Sequence, residues 1–481
     1  MLCCALYLWT APGRILFPDD EIVYQTTRAL YERGALDIEG IPKRTGELKG
    51  RPDGTFGWAP GRNAKRYGFF GHALSLVALP AYAIGKVVAA RAPEPWRHAI
   101  RSDHYFLHPR SPQQDWPRLV VSLTNVLVTA ATVVMLLRWL VALGFALRIA
   151  TIVALVYAVG TTAWPYTRTF LSEPLSAACL VGALWCIAEL HRGGAGAVRW
   201  ALGAGVFAGV AMHTHVLNLV ALPWLAAAAI VPMARPLRVR VIAAGLAPAV
   251  VALALLLFGQ WWRFGDAFES GRYDHYSWWI APGVGAMALL FGPGRSVFLF
   301  SPPLFAAVLG VREWWRRMPV LACCVLGIAA SRWLVVAMRS DWWGGWSIGP
   351  RYLVPVVPLL LVPLAIVLER AGAWSKARRI AVSALLAASV MLQLHLSLHS
   401  IFEWMLHLTT TGDSEWHYLE RSHWLVDASP IVGFVGAPLD TLSTGALRLA
   451  KHGHPGFAIL FASIAALGLL AAWRLLRTLR R

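Results

Sequence analysis

Residues 118–137 read RLVVSLTNVLVTAATVVMLL, and residues 149–165 read IATIVALVYAVGTTAWP. The connector between them, Arg138–Arg148, begins and ends with arginine. Apolar runs of this kind fit the hydrocarbon core of a bilayer, which a helix of about 20 residues crosses. Short loops that are rich in Lys and Arg stay in the cytoplasm. The stretch therefore predicts two transmembrane helices and the side of the membrane on which their connector lies.

The composition of the whole chain agrees with a membrane protein. Of its 481 residues 57% are hydrophobic and only 14% are charged, and the mean hydropathy is +0.55. A soluble domain carries roughly 25% charged residues, so the composition excludes a disordered chain, a collagen and an ordinary soluble enzyme. The net charge of +19 then has to be interpreted by its location, because basic residues in connectors report topology rather than a nucleic-acid partner.

Similar apolar runs recur along the chain and predict an all-α, polytopic integral membrane protein with about 12 transmembrane helices. The apolar segments are 1–17, 69–90, 118–137, 149–165, 174–190, 200–214, 216–234, 241–259, 297–311, 319–338, 352–368, 380–400 and 455–473. The first of them lacks a charged segment before it, which disfavours a signal peptide. It is interpreted as a first transmembrane helix without its opening turns, as if the start codon had been assigned late.

The basic connectors fix the orientation. They are Arg138–Arg148, Arg192–Arg199, Arg235–Arg240, Arg312–Arg317, Arg370–Arg379 and the tail Arg474–Arg481. All lie on the cytoplasmic side if the spans from residue 118 alternate, which puts 18–68, 91–117, 260–296, 339–351 and 401–454 outside. This alternation requires either that the segment 69–90 does not cross the membrane or that the N-terminus begins outside. Pro80 and Lys86 interrupt 69–90, so we favour an interfacial or re-entrant helix on the outer face.

Three regions follow from this topology. Residues 1–400 form a transmembrane domain whose first outer loop, 18–68, carries candidate catalytic residues. Residues 401–454 form an outer loop, and residues 455–481 form the last transmembrane helix and a basic cytoplasmic tail.

Acidic residues open two of the outer segments. Asp19, Asp20 and Glu21 follow the first apolar run, and Glu173 precedes the helix 174–190. Acids at these places also cap helices and favour the positive end of the helix dipole. A carboxylate fixed in this way suits a general base, which takes a proton from an acceptor hydroxyl or amine.

Basic and aromatic residues in the outer segments are candidates for substrate contacts. Arg351 follows the glycine-rich stretch Trp342–Pro350, and such an arginine can hold a phosphate by bidentate pairing; a snorkelling interfacial arginine is the alternative. The further candidates for a phosphate contact are Arg295, Lys65 and Arg66, and those for other substrate contacts are Tyr67, His72, Trp346 and Tyr352. His213 and His215 form a metal site only if the chain turns between them.

These residues together resemble the GT-C membrane glycosyltransferases, a superfamily that includes protein O-mannosyltransferases and aminoarabinose transferases. The resemblance rests on the order of the motifs: a first helix, the acids of residues 19–21, a partly inserted helix at 69–90, the acid Glu173 and many further spans. Glu173 lacks the D-x-E pattern of oligosaccharyltransferases, and no W-W-D-Y-G signature is present. Both departures disfavour N-glycan transfer.

The resemblance implies an inverting transfer of a sugar from a polyprenyl-phosphate carrier to a glycan, lipid or protein of the cell envelope, outside the cytoplasm and in the inner or plasma membrane. Asp20 would be the base, with Asp19 or Glu21 in reserve, and Arg351 would hold the carrier phosphate with help from Arg295 or Lys65. Some members bind a divalent metal between the acids of the first and second loops and others need none, so metal dependence stays open, as do the sugar, the acceptor and the oligomeric state.

Two other classes of function are compatible with the chain. A flippase or transporter of lipid-linked sugars would want charged residues near the middle of the spans, whereas the acids here gather at the mouths of the spans. A non-catalytic scaffold is the third alternative.

Overall fold

The computed structural model describes residues 1–38, 57–93, 112–193, 196–232, 239–271, 280–401, 403–405, 408, 422–437, 444–445 and 455–480. The α-helices run over Leu2–Thr10, Pro18–Arg33, Ala73–Val77, Leu79–Arg91, Pro112–Ser122, Thr124–Ala142, Leu147–Gly160, Ala163–Tyr166, Glu173–His191, Ala197–Thr214, Leu222–Ile230, Val239–Phe264, Gly283–Phe291, Val297–Phe300, Pro303–Val308, Val311–Arg317, Pro319–Ala337, Val357–Leu360, Val362–Glu369, Lys376–Leu398, Pro430–Gly433 and Pro455–Arg480. Short 3-10 helices cover Arg62–Ala64, Val216–Ala221, Arg351–Val356 and Ala371–Ala373. Much of the predicted outer loop 401–454 lies outside the described residues.

Six helices within the described ranges are long and apolar enough to cross a membrane, and the chain is a multi-pass membrane protein. They are Asp115–Ala142, Glu173–His191, Val239–Phe264, Pro319–Ala337, Arg351–Glu369 and Lys376–Leu398. The count of about 12 spans is not confirmed, because several predicted spans are short or broken helices. The segment 297–311, for example, divides at Ser301 and Pro302 into Val297–Phe300 and Pro303–Val308.

The helix Glu173–His191 lies at the centre of the bundle. Nearly all its side chains are buried, on every face of the helix. Small residues let neighbours approach closely: a Cβ added at Gly182 would lie 2.6 Å from the ring of Phe207 on the helix Ala197–Thr214. Because this helix is held on all sides, its first residue, Glu173, has a fixed position.

A glycine pair makes the contact between the helices Ala197–Thr214 and Val239–Phe264. A Cβ added at Gly205 would lie 2.1 Å from the carbonyl oxygen of Gly245, whereas one added at Gly245 would lie 3.5 Å from its nearest neighbour. Small residues at such crossings allow close backbone packing in membranes.

We therefore expect Gly205→Ala to destabilise the protein by about 1–3 kcal/mol through overpacking, and Gly245→Ala to be tolerated. The measurement is the thermal unfolding midpoint of each variant in the same detergent. Equal midpoints for the two variants would contradict the packing described here.

The first loop contains a short β-hairpin, which the prediction of an all-α fold did not include. Strands Trp58–Pro60 and Arg66–Gly68 pair antiparallel with Ala59 opposite Tyr67. A turn with Asn63 and Ala64 at positive φ connects them. Tyr67 packs edge-on against Trp262 and Phe264 at the end of the helix Val239–Phe264. The hairpin thereby ties the first loop to a helix about 200 residues further along the chain.

The predicted re-entrant segment 69–90 is two helices, Ala73–Val77 and Leu79–Arg91. Pro80 stands in the first turn of the second helix. That helix packs against Pro112–Ser122, where Gly85 lies so close that a Cβ would be 2.5 Å from the Cα of Pro117. Whether the segment re-enters the membrane stays a prediction.

The first helix, Leu2–Thr10, is shorter than the predicted span 1–17 and packs beside the last helix, Pro455–Arg480. The indole of Trp9 donates a hydrogen bond of 3.1 Å to the carbonyl of Phe461. The hydroxyl of Tyr7 donates to the carbonyl of Ala158 at 2.8 Å. These contacts fix the chain just before the acids of the first loop.

Candidate active site

The acids of the first loop lie in the opening turn of a 16-residue helix, Pro18–Arg33, which we call the acidic helix. Pro18 occupies its first position, where the missing N–H costs no hydrogen bond. Carboxylates in this turn are favoured by the positive end of the helix dipole. Successive residues of a helix point about 100° apart, so Asp19, Asp20 and Glu21 face three different surroundings.

Asp19 and Glu173 meet at the guanidinium of Arg351. Nη1 of Arg351 donates to Oδ2 of Asp19 at 2.8 Å, and Nε donates to Oε1 of Glu173 at 2.7 Å. Nη1 also lies 3.4 Å from the carbonyl of Gly344. Arg351 and Glu173 are buried and Asp19 is partly exposed. Removing one partner of a buried ion pair leaves an uncompensated charge. The predicted acids of both loops and the predicted arginine therefore form one site.

We call the contacts of Arg351 with Asp19 and Glu173 the bridge. Asp20 lies beside the bridge and is fully buried. Its Oδ2 accepts a hydrogen bond of 2.9 Å from the backbone N–H of Phe170. Its Oδ1 has no hydrogen-bond partner among the described residues. Burial raises the pKa of Asp20 well above its ordinary value of 3.8, and the Phe170 N–H and the charge of Arg351 only partly oppose this. A carboxyl whose pKa is raised and whose oxygen is unoccupied is suited to accept a proton.

Glu173 also has one carboxylate oxygen without a partner. Its Oε2 is buried and has no hydrogen-bond partner within the described ranges, while Oε1 is held by Arg351. Two carboxylate oxygens, one from each loop, are thus available to an incoming polar group.

Glu21 faces away from the site. Its carboxylate accepts hydrogen bonds from Nε and Nη2 of Arg118 at 3.2 and 3.1 Å, and from the side-chain amide of Gln25 at 2.7 Å. The guanidinium of Arg118 also lies over the ring of Tyr24. These contacts tie the carboxylate of Glu21 to Arg118 and Gln25, and its role as a reserve base stays a prediction.

Arg295 is buried and holds the backbone from which Arg351 projects. Its Nη1 donates to the carbonyls of Ser347 and Gly349 at 2.7 and 3.1 Å, and Nη2 donates to that of Gly345 at 3.1 Å. Nε contacts Nδ1 of His423 at 3.3 Å. These bonds let Arg295 position the backbone around Arg351, and its predicted contact with a phosphate stays a prediction.

We call the segment that Arg295 holds, Gly344–Pro350, the glycine turn. Gly344, Gly345 and Gly349 have φ values of +76°, +69° and +61°, a region that side-chain-bearing residues rarely adopt. The hydroxyl of Tyr166 donates to the carbonyl of Ile348 at 2.9 Å. The turn therefore depends on glycine for its shape and on buried donors for its position.

The aromatic candidates near the glycine turn differ in exposure. Tyr352 is buried, and its hydroxyl donates to Oδ2 of Asp341 at 3.2 Å. Asp341 also accepts two hydrogen bonds of 2.7 Å from Arg339. Trp346 is half-buried and remains a candidate for contact with a substrate, whereas Tyr352 supports the turn.

The basic and aromatic candidates of the first loop have partners other than Arg351. Lys65 pairs with Asp37 at 3.2 Å. The three others pack locally: Arg66 over Trp58, Tyr67 against Trp262 and Phe264, and His72 near Arg263 and His213. Burial, with the nearby Arg263 and His213, lowers the pKa of His72 well below 6.5. The hydrogen bonds of Arg351 go to none of these four residues.

The chain does turn between His213 and His215, as the sequence required for a metal site. His213 contacts the carbonyl of Ala252 at 2.8 Å, and Nδ1 of His215 accepts from the N–H of Leu217. The described residues contain no group of three or more His, Cys, Asp or Glu side chains that could hold a metal ion.

Sequence reasoning missed several arginines that support the site. Arg332 is buried within the helix Pro319–Ala337 and donates to the side-chain oxygen of Asn218 at 2.8 Å. Arg118 and Arg339 pair with Glu21 and Asp341. A lone arginine in an apolar span, as at Arg332, is itself a signal of a functional or structural site.

Comparison with known proteins identifies the fold. The chain is similar to ArnT from Cupriavidus metallidurans, solved bound to undecaprenyl phosphate, with 13% identity, a TM-score of 0.52, and coverage of 94% of this chain and 75% of that one. The oligosaccharyltransferase AglB from Archaeoglobus fulgidus, solved with an inhibitory peptide and a dolichol-phosphate, gives 13% identity, a TM-score of 0.46, and coverage of 89% and 59%. No family model and no curated protein matches the sequence. ArnT is a GT-C superfamily member, and this chain has the GT-C membrane fold that the order of its loop motifs predicts.

Proposed function

We propose that the chain is a glycosyltransferase that moves a sugar from a polyprenyl-phosphate carrier to a glycan, lipid or protein of the cell envelope. The observation that carries this proposal is the meeting of Asp19, Asp20, Glu173 and Arg351 in one site. The likeness of fold to ArnT, whose structure contains undecaprenyl phosphate, supports the same donor class. The basic connectors support an orientation in which this site faces away from the cytoplasm, in the inner or plasma membrane.

In the proposed reaction Oδ1 of Asp20 takes the proton of an acceptor hydroxyl or amine. The acceptor oxygen or nitrogen then bonds to the anomeric carbon of the sugar, on the face opposite the carrier. The bond between that carbon and the phosphate oxygen breaks, and its electron pair leaves with the polyprenyl phosphate. The products are an inverted glycoside, the carrier phosphate and a protonated Asp20, which returns its proton to water.

Arg351 would receive the phosphate. Its Nε and Nη1 are engaged by Glu173 and Asp19, and its Nη2 makes no hydrogen bond to the described residues. That free edge can donate to a phosphate oxygen as negative charge develops on the leaving group, which is where a fixed donor lowers the barrier most. Oε2 of Glu173 would orient the acceptor. Lys65 and Arg66 are proposed to contact anionic headgroups beside the site.

The test is transfer of labelled sugar from polyprenyl-phosphate donors in membranes that contain the chain. We expect a labelled envelope product and free polyprenyl phosphate in equal amounts. Movement of the labelled carrier across vesicles without a glycosidic product would overturn it and favour a flippase.

The positioning role of Arg295 gives a separate prediction. Lysine carries the positive charge, but its single ammonium nitrogen cannot donate to three carbonyls as the planar guanidinium of arginine does. We expect Arg295→Lys to lower kcat/KM for the donor by about tenfold or more, since a hydrogen bond to a charged group is worth about 1.5–3 kcal/mol and about 1.4 kcal/mol is tenfold.

The matched control is Arg316→Lys, the same change at an exposed position of the helix Val311–Arg317. The KM for the donor and kcat are measured for both variants, together with the unfolding midpoint. A lower midpoint with unchanged kinetic constants would mean that Arg295 supports the fold without positioning Arg351.

A further inference from the structure

The guanidinium of Arg351 stands between an acid of the first loop and an acid of the second. Asp19 and Glu173 are 154 residues apart in the chain, and each places one oxygen within 2.8 Å of a nitrogen of Arg351. This is the place between two loops where the family resemblance allows a divalent metal ion. A fixed positive charge of the protein already occupies it.

The residues present do not fit a metal ion at this place. Divalent Mg²⁺, Mn²⁺ or Ca²⁺ needs several oxygen ligands within about 2.0–2.6 Å of one point. The carboxylates of Asp19 and Glu173 instead reach two different nitrogens of one guanidinium. No set of three His, Cys, Asp or Glu ligands is found here or elsewhere in the described ranges. An ion placed among them would also meet the charge of Arg351.

We propose that Arg351 is a built-in cation that takes the electrostatic place of a divalent metal ion, so that the native site binds none. The inference deepens the proposed function, because it assigns the source of positive charge at the same site. It stands on geometry, however, and concerns ion binding, which is measured without any transfer reaction.

The pairing of Arg351 with Glu173 differs from ordinary surface ion pairs by its burial. The side chains of Arg351 and Glu173 are 10% and 1% exposed, whereas that of Asp19 is 19% exposed. Arg317 also bridges two carboxylates, those of Glu313 and Glu369, but all three side chains there are at least 24% exposed. Burial strengthens the interaction between charges by lowering the local dielectric. Removal of Arg351 would leave the carboxylates of Asp19 and Glu173 without their shared counter-charge, with Glu173 and the neighbouring Asp20 buried.

The experiment measures binding of Mn²⁺ to the full-length protein in detergent, by electron paramagnetic resonance of the free ion. Wild type is expected to bind no Mn²⁺ at this site, and chelators are expected to leave its unfolding midpoint unchanged. Arg351→Ala is expected to gain one bound Mn²⁺ per chain that wild type does not bind. Adding Asp19→Asn or Glu173→Gln to that variant should abolish the gain.

Arg317→Ala is the matched control, because it also removes an arginine that bridges two acids. It should gain no site, since its carboxylates are hydrated and Arg370 still pairs with Glu313. Arg351→Gln, which keeps a donor without the charge, replaces Arg351→Ala if the latter does not fold, with the same expectation.

The proposal is overturned if wild type binds one Mn²⁺ that Asp19→Asn removes, or if a folded Arg351→Ala or Arg351→Gln binds no more than wild type. Absence of sugar transfer in wild type, together with the expected Mn²⁺ results, would instead refute the proposed function and leave the role of Arg351 intact.

Discussion

Asp20→Asn is expected to lower the rate of sugar transfer by at least about a hundredfold, the lower end of the contribution of general-base catalysis. Asparagine keeps the shape of the side chain and can still accept the N–H of Phe170, but it cannot take a proton. The native carboxylate has a buried, unpartnered Oδ1, which is where the acceptor proton would go. The measurement is the single-turnover rate with saturating donor.

The pH dependence of that rate follows from the pKa of Asp20. Burial raises this pKa well above 3.8, and only the ionised form is a base. The rate is therefore expected to rise with pH through the raised pKa and then to level off. A rate that is flat across this range, or full activity of Asp20→Asn, would exclude Asp20 as the base.

The stability of the folded protein should fall as pH rises, whereas the rate should rise. Because the folded pKa is raised, the folded state binds the proton of Asp20 more tightly than the unfolded chain does. The stabilising contribution is complete below the ordinary value of 3.8 and declines as pH rises towards the raised pKa. Asp20→Asn should hence unfold at a higher temperature than wild type at pH 8. Asp266→Asn, the same change at an exposed acid, should alter neither the rate nor the midpoint.

Arg118→Ala is expected to have the largest effect on stability, about 3–5 kcal/mol, because it leaves the carboxylate of Glu21 buried without its counter-charge. Both side chains are at most 5% exposed. The pair joins the acidic helix to the helix Pro112–Ser122. Unfolding of the detergent-solubilised protein, followed by denaturant or heat, measures the loss.

Two further variants separate a structural pair from a catalytic one. The double change Glu21→Leu with Arg118→Met removes both charges and should recover most of the stability, since apolar replacements of a buried pair are often neutral. It should also keep sugar transfer. Arg28→Ala, which breaks the more exposed pair with Glu32, should cost less than about 1 kcal/mol. Loss of sugar transfer in a stable double variant would mean that Glu21 takes part in the reaction.

The sequence could predict which charged residues lie on the same side of the membrane, but not which of them form pairs. Hydropathy and the basic connectors suffice to place the acids of residues 19–21, Glu173 and Arg351 at the mouths of spans. The pairing of Arg351 joins residues 178 and 332 positions apart, and no local pattern encodes such contacts. The divergence of three successive acids follows from helical spacing, but which of them faces Arg118 depends on a neighbouring helix.

Other features that the sequence does not show have a similar physical origin. Arg295 follows a glycine–proline turn, which indicates an arginine available to a ligand, and the sequence does not show that tertiary packing buries it against the carbonyls of the glycine turn. The hairpin around residues 58–68 has strands of three residues, too short for an alternating pattern to be visible. Tyr67 of the hairpin packs against Trp262 and Phe264, which only the fold brings close to it.

The structure of the protein bound to a polyprenyl-phosphate sugar is the measurement that tests the central claim most directly. We predict that the carrier phosphate lies within hydrogen-bond distance, about 2.7–3.2 Å, of Nη2 of Arg351, with the anomeric carbon facing Oδ1 of Asp20. A carrier bound with its phosphate at the basic connectors, or with its sugar remote from Asp20 and Glu173, would contradict it.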